Sequence, residues 1–110
     1  MKEIEVRFAD IKLREAYLKL EEGSGEEKEI YNKINKAIQI LEKNPEAGIR
    51  IPSRLIPKTY LQKYFINNLW KYNLSKSWRL LYTITQTEIR IVSIILEWMN
   101  HKNYERRFNY

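Results

Sequence analysis

The stretch "NLWKYNLSKSWRLLYTI", residues 68–84, decides the fold because it predicts a hairpin of two β-strands. Apolar residues alternate with polar ones on both sides of "SKS" (75–77), which is the period of a half-buried strand. A slip of one residue would turn every side chain over, so the register follows the apolar pattern. That register pairs Leu74 with Trp78 and leaves a three-residue loop. Such loops favour a glycine in the left-handed conformation, and this one has none.

The segments on either side of this hairpin supply two further strands. "EIRIVSIILEWM" (88–99) is apolar on both faces in its middle, as a central strand of a sheet is. "KEIEVRF" (2–8) alternates apolar and charged residues and predicts a first strand. "HKNYERRF" (101–108) follows the last strand as a turn or a short helix.

Two helices are predicted between the first strand and the hairpin. Asp10 is a suitable N-cap for a helix over residues 11–22, and "GSG" (23–25) separates it from a second helix. The second helix ends at "NPEAG" (44–48), because proline cannot continue a helix. Its apolar stripe consists of Ile30, Ile34, Ala37, Ile38 and Leu41.

The segment between the second helix and the hairpin is basic and contains two prolines. It predicts an irregular loop up to about Ile56 and then a short helix from Pro57 to Phe65, since proline is tolerated in a first turn.

The order of elements is therefore strand, two helices, a basic loop with a short helix, and three consecutive strands. This order predicts the α+β class, with an antiparallel four-stranded sheet, two N-terminal helices packed on one face and a short C-terminal helix. The 110 residues contain no repeat and no linker, so we expect a single domain over 1–110.

The composition excludes several classes of protein. Without cysteine the chain forms no disulfide, uses no thiolate and holds no cysteine-ligated zinc. No apolar run is long enough to cross a bilayer, and the first residues lack the core of a signal peptide. We expect a cytoplasmic protein with no membrane partner.

The net charge of +6 is unevenly distributed along the chain. Residues 1–48 carry 9 Lys/Arg and 11 Asp/Glu, whereas residues 49–110 carry 11 Lys/Arg and 3 Asp/Glu. A basic half of this kind indicates a surface that meets phosphates, although it is equally compatible with a solvated face that has no partner.

The polar face of the predicted hairpin carries Lys71, Asn73 and Arg79. Residues of this kind are most often solvent-facing positions on an exposed sheet. The alternative, which the charge asymmetry favours, is a concave basic surface with the basic loop and the C-terminal segment along its edges.

The second half of the chain resembles the RelE/ParE superfamily of type II toxins. The similarity covers about residues 44–108 and rests on "NLWKYNLSKSWRLLYTI", on "EIRIVSIILEWMNHKNYERRF" and on "RIPSRLIPKTYLQKYFINNLWKYNL". A strand with W-R-L-L-Y together with H-x-x-Y-x-R after the last strand is a fairly specific combination. The strand–helix–helix start agrees in organisation.

The resemblance implies an mRNA endonuclease that acts in the ribosomal A site and is held inactive by an antitoxin. RelE-like enzymes require no metal or other cofactor. The ribose 2′-OH attacks the adjacent phosphate, the 5′-oxygen of the next nucleotide leaves, and a 2′,3′-cyclic phosphate forms. This chemistry requires a base, cations on the transition state and an acid for the leaving oxygen.

The resemblance also assigns roles to individual residues. Arg79 would bind the scissile phosphate, and His101 would act as general acid or base, since histidine is the residue type whose free side chain has a pKa near neutrality. Tyr104 would stack on a base or donate a proton, and Lys71 would contact phosphate or depress a neighbouring pKa. Arg106 or Arg107 would supply a second cation. The predicted RNA-binding residues are Arg50, Arg54, Lys58, Lys63, Lys76 and Arg107.

The chain departs from the family at one position, because Asn73 stands where RelE-like enzymes carry a second lysine. This departure argues against a lysine-based mechanism and favours one in which His101 is the general acid or base.

Structural roles compete with the catalytic ones in the C-terminal segment. His101, the only histidine, is alternatively a polar residue that closes the last strand. Tyr104 and Phe108 are equally suited to anchor the segment on the sheet. Glu105 lies at the spacing that would let it orient His101, and it could equally form a surface pair with a lysine. One histidine and no cysteine offer too few ligands for a metal site.

Three functions remain open from the sequence. The first is a ribosome-dependent mRNA interferase, and the second is a ParE-like toxin that inhibits gyrase without cleaving RNA. The third is a catalytically inactive RNA- or DNA-binding relative. For a toxin, the expected partners are mRNA, the ribosome and an acidic or amphipathic antitoxin encoded by the adjacent gene.

Overall fold

A computed structural model of the chain describes residues 2–108 and forms five strands and four α-helices in that range. The strands are β1 (Glu3–Phe8), β2 (Ile49–Arg50), β3 (Trp70–Asn73), β4 (Trp78–Gln86) and β5 (Arg90–Asn100). The helices are α1 (Ile11–Leu20), α2 (Gly25–Lys43), α3 (Lys58–Tyr64) and α4 (His101–Phe108). Two 3-10 turns, Pro45–Ala47 and Ser53–Leu55, flank β2.

The first two helices begin at capping side chains. Asp10 Oδ1 accepts a hydrogen bond from the Leu13 N–H at 2.8 Å, which confirms the predicted N-cap of α1. At α2, Ser24 and Glu27 each accept a hydrogen bond from the backbone N–H of the other, forming a capping box. The turn predicted at 23–25 thus separates α1 from α2 and contains Ser24, the N-cap of α2.

The five strands form one mixed sheet in the order β1-β5-β4-β3-β2. The α+β class is confirmed, but the prediction of a four-stranded antiparallel sheet was wrong on two counts. The first strand, β1, pairs in parallel with β5. In addition, a fifth strand, β2, forms within the segment that was predicted to be an irregular loop, and it pairs with β3. Alternation of side chains marks a strand but does not encode its direction or its partner.

The predicted register of the hairpin is confirmed. Asn73 pairs with Arg79, and the Leu74 N–H donates to the Trp78 carbonyl at 3.0 Å, which leaves residues 75–77 as the loop. The loop closes without a left-handed residue, since Phe65 is the only non-glycine residue in 2–108 with a positive φ and no glycine there has one.

Both faces of the sheet are covered by hydrophobic clusters. The first face, with Trp70, Leu80 and Tyr82, packs against α1 and α2. The opposite face contributes Leu81 and Met99 to a second cluster. This second cluster also contains residues of α3 and α4, namely Tyr60, Tyr104 and Phe108.

The face that carries Lys71 and Arg79 is therefore not an open concave surface, as the sequence had led us to expect. α3 and α4 bring apolar side chains onto this face, and Arg79 lies at the end of it next to the hairpin loop. Lys71 and Arg79 are half-buried there, and Asn73 is exposed.

Tyr82 ties the sheet to the turn that follows α2. Its buried hydroxyl donates to the Pro45 carbonyl at 2.7 Å and accepts from the Gly48 N–H at 3.1 Å. Gly48 is required at this point, because a Cβ there would lie 2.5 Å from the Lys71 carbonyl oxygen and 2.7 Å from the Tyr82 hydroxyl.

Replacing Tyr82 with phenylalanine should therefore lower the free energy of unfolding by about 1–3 kcal/mol, because it leaves two backbone groups without their partner. Urea unfolding measures the change. Tyr72→Phe is the matched control, since it removes a hydroxyl from a half-buried tyrosine that packs against the same hydrophobic cluster. Equal stability of the two variants would contradict the role given to the Tyr82 hydroxyl.

Alkaline pH should destabilise the protein through its buried tyrosines. Burial raises the pKa of Tyr82 to about 12, and burial likewise raises the pKa of Tyr17 and of Tyr60. A tyrosine that keeps its proton longer in the folded state contributes stability that is complete below its unfolded pKa of about 10. That contribution is lost as the pH rises through the folded pKa.

Between pH 10 and 12 the unfolding free energy of the wild type should fall more steeply than that of Tyr82→Phe. The expected difference in slope is about 1.4 kcal/mol per pH unit. Urea unfolding at several pH values measures both slopes, and parallel slopes would contradict the prediction.

Candidate active site

The start of α4 is fixed beside the hairpin loop. Trp78 pairs with Asn100, the last residue of β5, and α4 begins at the next residue. The His101 N–H donates to the Ser77 carbonyl at 2.7 Å, and Asn100 Oδ1 accepts from the Asn103 N–H at 2.8 Å. The segment predicted as a turn or a short helix is thus a helix of eight residues that is attached to the loop through its first residue.

Arg79 connects this loop to His101. Its Nη1 donates to two carbonyl oxygens of the loop, those of Ser75 at 2.9 Å and Lys76 at 3.2 Å, and to that of Trp78 at the start of β4 at 3.1 Å. Its Nη2 lies 2.9 Å from His101 Nδ1. One guanidinium therefore satisfies the carbonyls of a loop that lacks a glycine and also contacts the only histidine of the chain.

The hydrogen bonds of His101 determine where its proton lies. A guanidinium has only donors, so Nδ1 of His101 accepts from Arg79 and carries no proton in this arrangement. The ring proton is on Nε2, which lies 2.9 Å from Glu105 Oε1 one helical turn further along α4. Both side chains are 47% exposed, so the imidazole is accessible to a ligand.

Tyr104 forms the floor of the site. Its ring is 1% exposed and stacks on Phe108 with the ring centroids 4.5 Å apart. Lys71 Nζ lies 5.1 Å and the Arg79 guanidinium carbon 6.0 Å from the centroid of the Tyr104 ring, both within cation–π range. Four predicted catalytic residues, His101, Arg79, Tyr104 and Lys71, are thus brought together.

The fifth predicted catalytic residue, Arg106, is not part of this group. It is exposed in the last turn of α4, five residues after His101. Five residues correspond to a rotation of about 140° around a helix axis, so the two side chains leave α4 in different directions.

Arg107 belongs to a separate polar cluster on the same side of the sheet. Its Nη1 donates to Glu97 Oε2 at 3.1 Å and to the Tyr60 hydroxyl at 3.3 Å, and that hydroxyl donates to Glu97 at 2.7 Å. Burial opposes the charge of Arg107, but Glu97 raises its pKa above the ordinary value. The charge of Arg107 is therefore balanced within the fold.

The other predicted RNA-binding residues are distributed along the chain between β2 and β4. All five are exposed, and Lys76 lies in the hairpin loop next to Arg79. They are Arg50, Arg54, Lys58, Lys63 and Lys76.

Sequence reasoning missed the carbonyl contacts of Arg79. The only signal for them was the hairpin loop without a glycine, which left its backbone groups in need of partners. Glu105 was singled out correctly by its spacing from His101, and the structure adds the distance between them.

Comparisons of the chain with family models, with curated proteins and with solved structures found no match. The similarity to RelE-like toxins thus remains a prediction from the motifs. None of the helices in residues 2–108 is long and apolar enough to cross a membrane. In the same range, no three His, Cys, Asp or Glu side chains come together as possible metal ligands.

The buried position of Tyr104 predicts that its substitutions act on stability. Tyr104→Leu should lower the free energy of unfolding by about 2–4 kcal/mol, because it removes the ring between Phe108 and the two cations. Tyr104→Phe keeps that ring and should cost less. Urea unfolding compares the two variants, and equal losses would show that the ring is not what stabilises this end of the sheet.

Proposed function

We propose that this protein is the toxin of a type II toxin–antitoxin system and acts as a ribosome-dependent mRNA endoribonuclease that inhibits translation. The observation that carries the proposal is the contact of 2.9 Å between Arg79 and His101, because it joins the two motifs on which the resemblance rests. A phosphate-binding fork and a proton-transferring group are thereby adjacent and accessible. The finer assignment of the fold as RelE-like is part of the same proposal.

The proposed reaction is an internal transesterification. The ribose 2′-oxygen attacks the adjacent phosphorus, the bond from phosphorus to the 5′-oxygen of the next nucleotide breaks, and a 2′,3′-cyclic phosphate forms. A base takes the proton of the 2′-OH, and an acid gives a proton to the departing 5′-oxygen. Negative charge develops on the phosphoryl oxygens, where fixed cations are most effective.

The residues of the site fit these requirements. Arg79 offers a planar fork of N–H donors to the phosphoryl oxygens, and its guanidinium keeps its charge at all working pH values. Lys71 supplies a second positive charge, with its Nζ 5.1 Å from the centroid of the Tyr104 ring. His101 transfers a proton as general acid or base. Tyr104, being buried, supports the two cations rather than stacking on a base.

In the proposal, the exposed lysines and arginines from β2 to the hairpin loop bind the phosphates of the mRNA and so position it at this site. An acidic or amphipathic segment of an antitoxin, encoded by the adjacent gene, covers the same basic residues through complementary charge. Mixed with the toxin in equimolar amount, such an antitoxin suppresses cleavage. The site of action is the ribosomal A site, in the cytoplasm.

Toe-printing of translating ribosomes tests the proposal directly. The wild type should produce new mRNA ends in the A-site codon, and His101→Gln should lower the cleavage rate by a factor of about 10²–10⁴, as expected for loss of a general acid or base. Lys102→Gln is the matched control, since it removes a charge from the neighbouring exposed position on α4 and should cleave like the wild type.

Two results would contradict the proposal. One is the absence of new mRNA ends with the wild type, and the other is equal cleavage by His101→Gln and Lys102→Gln. Inhibition of gyrase supercoiling without RNA cleavage would instead support a ParE-like toxin, and salt-dependent RNA binding without either activity would support an inactive relative.

A further inference from the structure

Both ring nitrogens of His101 are occupied in the structure. Arg79 Nη2 donates to Nδ1 at 2.9 Å, and Nε2 donates to Glu105 at 2.9 Å. Lys71 also lies at this end of the sheet, with its Nζ 5.1 Å from the centroid of the Tyr104 ring. The imidazole is therefore held in one orientation by a cation from β4 and a carboxylate from α4.

This arrangement prevents His101 from transferring a proton. A base must accept a proton, which in this tautomer can add only at Nδ1, where Arg79 blocks the lone pair. An acid must be the imidazolium, which carries an N–H at both nitrogens and thus places the Nδ1 proton against the guanidinium. Every proton-transfer role therefore requires Arg79 to leave Nδ1.

We infer that Arg79 is a gate on His101 that is opened by phosphate, and that Glu105 is the positioning residue that holds the imidazole while the gate is open. The inference rests on the proposed function for the identity of the phosphate, which is the phosphodiester of the RNA. While Arg79 contacts Nδ1, which is the closed state of the gate, His101 transfers no proton. The site is therefore active only when it binds an anion.

The contacts of Arg79 indicate how the gate opens. A guanidinium and a phosphate carry opposite charges and can form two parallel hydrogen bonds, so phosphate competes well with the neutral imidazole. The Nη1 contacts with the carbonyls of Ser75, Lys76 and Trp78 provide an anchor about which the guanidinium can turn. The hairpin loop thus retains the arginine while Nη2 changes partner.

Glu105 acts on the other side of the ring. Its carboxylate lies 2.9 Å from Nε2 and accepts the proton that this nitrogen carries. Because it is held to the ring from one turn along the same helix, it keeps Nδ1 directed at the space that Arg79 leaves. It touches the histidine rather than the substrate.

Nitrogen NMR of the imidazole tests the gate without ribosomes or RNA. His101 is the only histidine, so one pair of ring nitrogens gives the whole signal. Inorganic phosphate is added at constant ionic strength to a protein whose imidazole is neutral. The Nδ1 resonance should move from a hydrogen-bonded position to that of a free acceptor nitrogen, while Nε2 keeps its proton.

Two arginine variants serve as references for the phosphate response of the Nδ1 resonance. In Arg79→Gln the Nδ1 resonance should already lie near the phosphate-saturated position of the wild type and should not respond to phosphate. Arg14→Gln removes the same charge from an exposed position on α1 and should respond as the wild type does. A wild-type Nδ1 resonance that does not respond to phosphate, or an equal response in Arg79→Gln, would overturn the gate.

The role of Glu105 is tested by a pair of variants. Glu105→Gln keeps an acceptor for the Nε2 proton, whereas Glu105→Ala removes it. The expected result is a shifted Nε2 resonance and an approximately tenfold lower cleavage rate in Glu105→Ala, with partial rescue of both in Glu105→Gln. Unchanged Nε2 resonances in both variants would overturn the positioning role.

The gate and the proposed function fail in different ways. A phosphate response at Nδ1 without any mRNA cleavage would contradict the endoribonuclease and leave the gate intact. Cleavage without a phosphate response would contradict the gate and leave the endoribonuclease intact.

Discussion

The enclosure of β5 is the constraint on which the rest of the structure depends. This strand is paired on both edges, with β1 and β4, and its side chains enter a hydrophobic cluster on each face. Such a strand cannot shift along its neighbours without moving buried side chains to the wrong face. Its last residue, Asn100, is therefore fixed opposite Trp78, and His101 must emerge beside the hairpin loop. The register of two strands thus sets the position of the candidate active site.

Arg79 serves both the fold and the proposed chemistry. The hairpin loop lacks the glycine that loops of its length favour, and the Arg79 guanidinium donates to the carbonyls of Ser75 and Lys76 in this loop and to that of Trp78. The same group also restrains His101 in the absence of substrate. An arginine held by three backbone carbonyls is preorganised for phosphate, since little side-chain entropy remains to be lost. A substitution of Arg79 will consequently change loop geometry as well as anion binding, and the two effects have to be measured separately.

Local patterns predicted the local features of this fold well. Alternation gave the hairpin register, the cap at Asp10 gave the start of α1, and spacing brought His101 and Glu105 to one side of α4. Features that depend on which segments meet were missed. Nothing in residues 2–8 encodes a parallel pairing with β5, and the second core arises because aromatic residues far apart in sequence converge on Leu81. The grouping of Lys71, Arg79, His101 and Tyr104 was predicted, whereas the loop carbonyls that hold Arg79 carry no side-chain signal.

The proposed chemistry depends on a single atom of the substrate, the ribose 2′-oxygen. The most direct measurement is therefore toe-printing on an mRNA that contains one 2′-deoxynucleotide immediately 5′ of the bond that the wild-type protein cleaves. This bond should stay intact, while an otherwise identical all-ribose mRNA should be cleaved and end in a 2′,3′-cyclic phosphate. Cleavage at the 2′-deoxynucleotide would contradict the transesterification and, with it, the proton transfers assigned to His101.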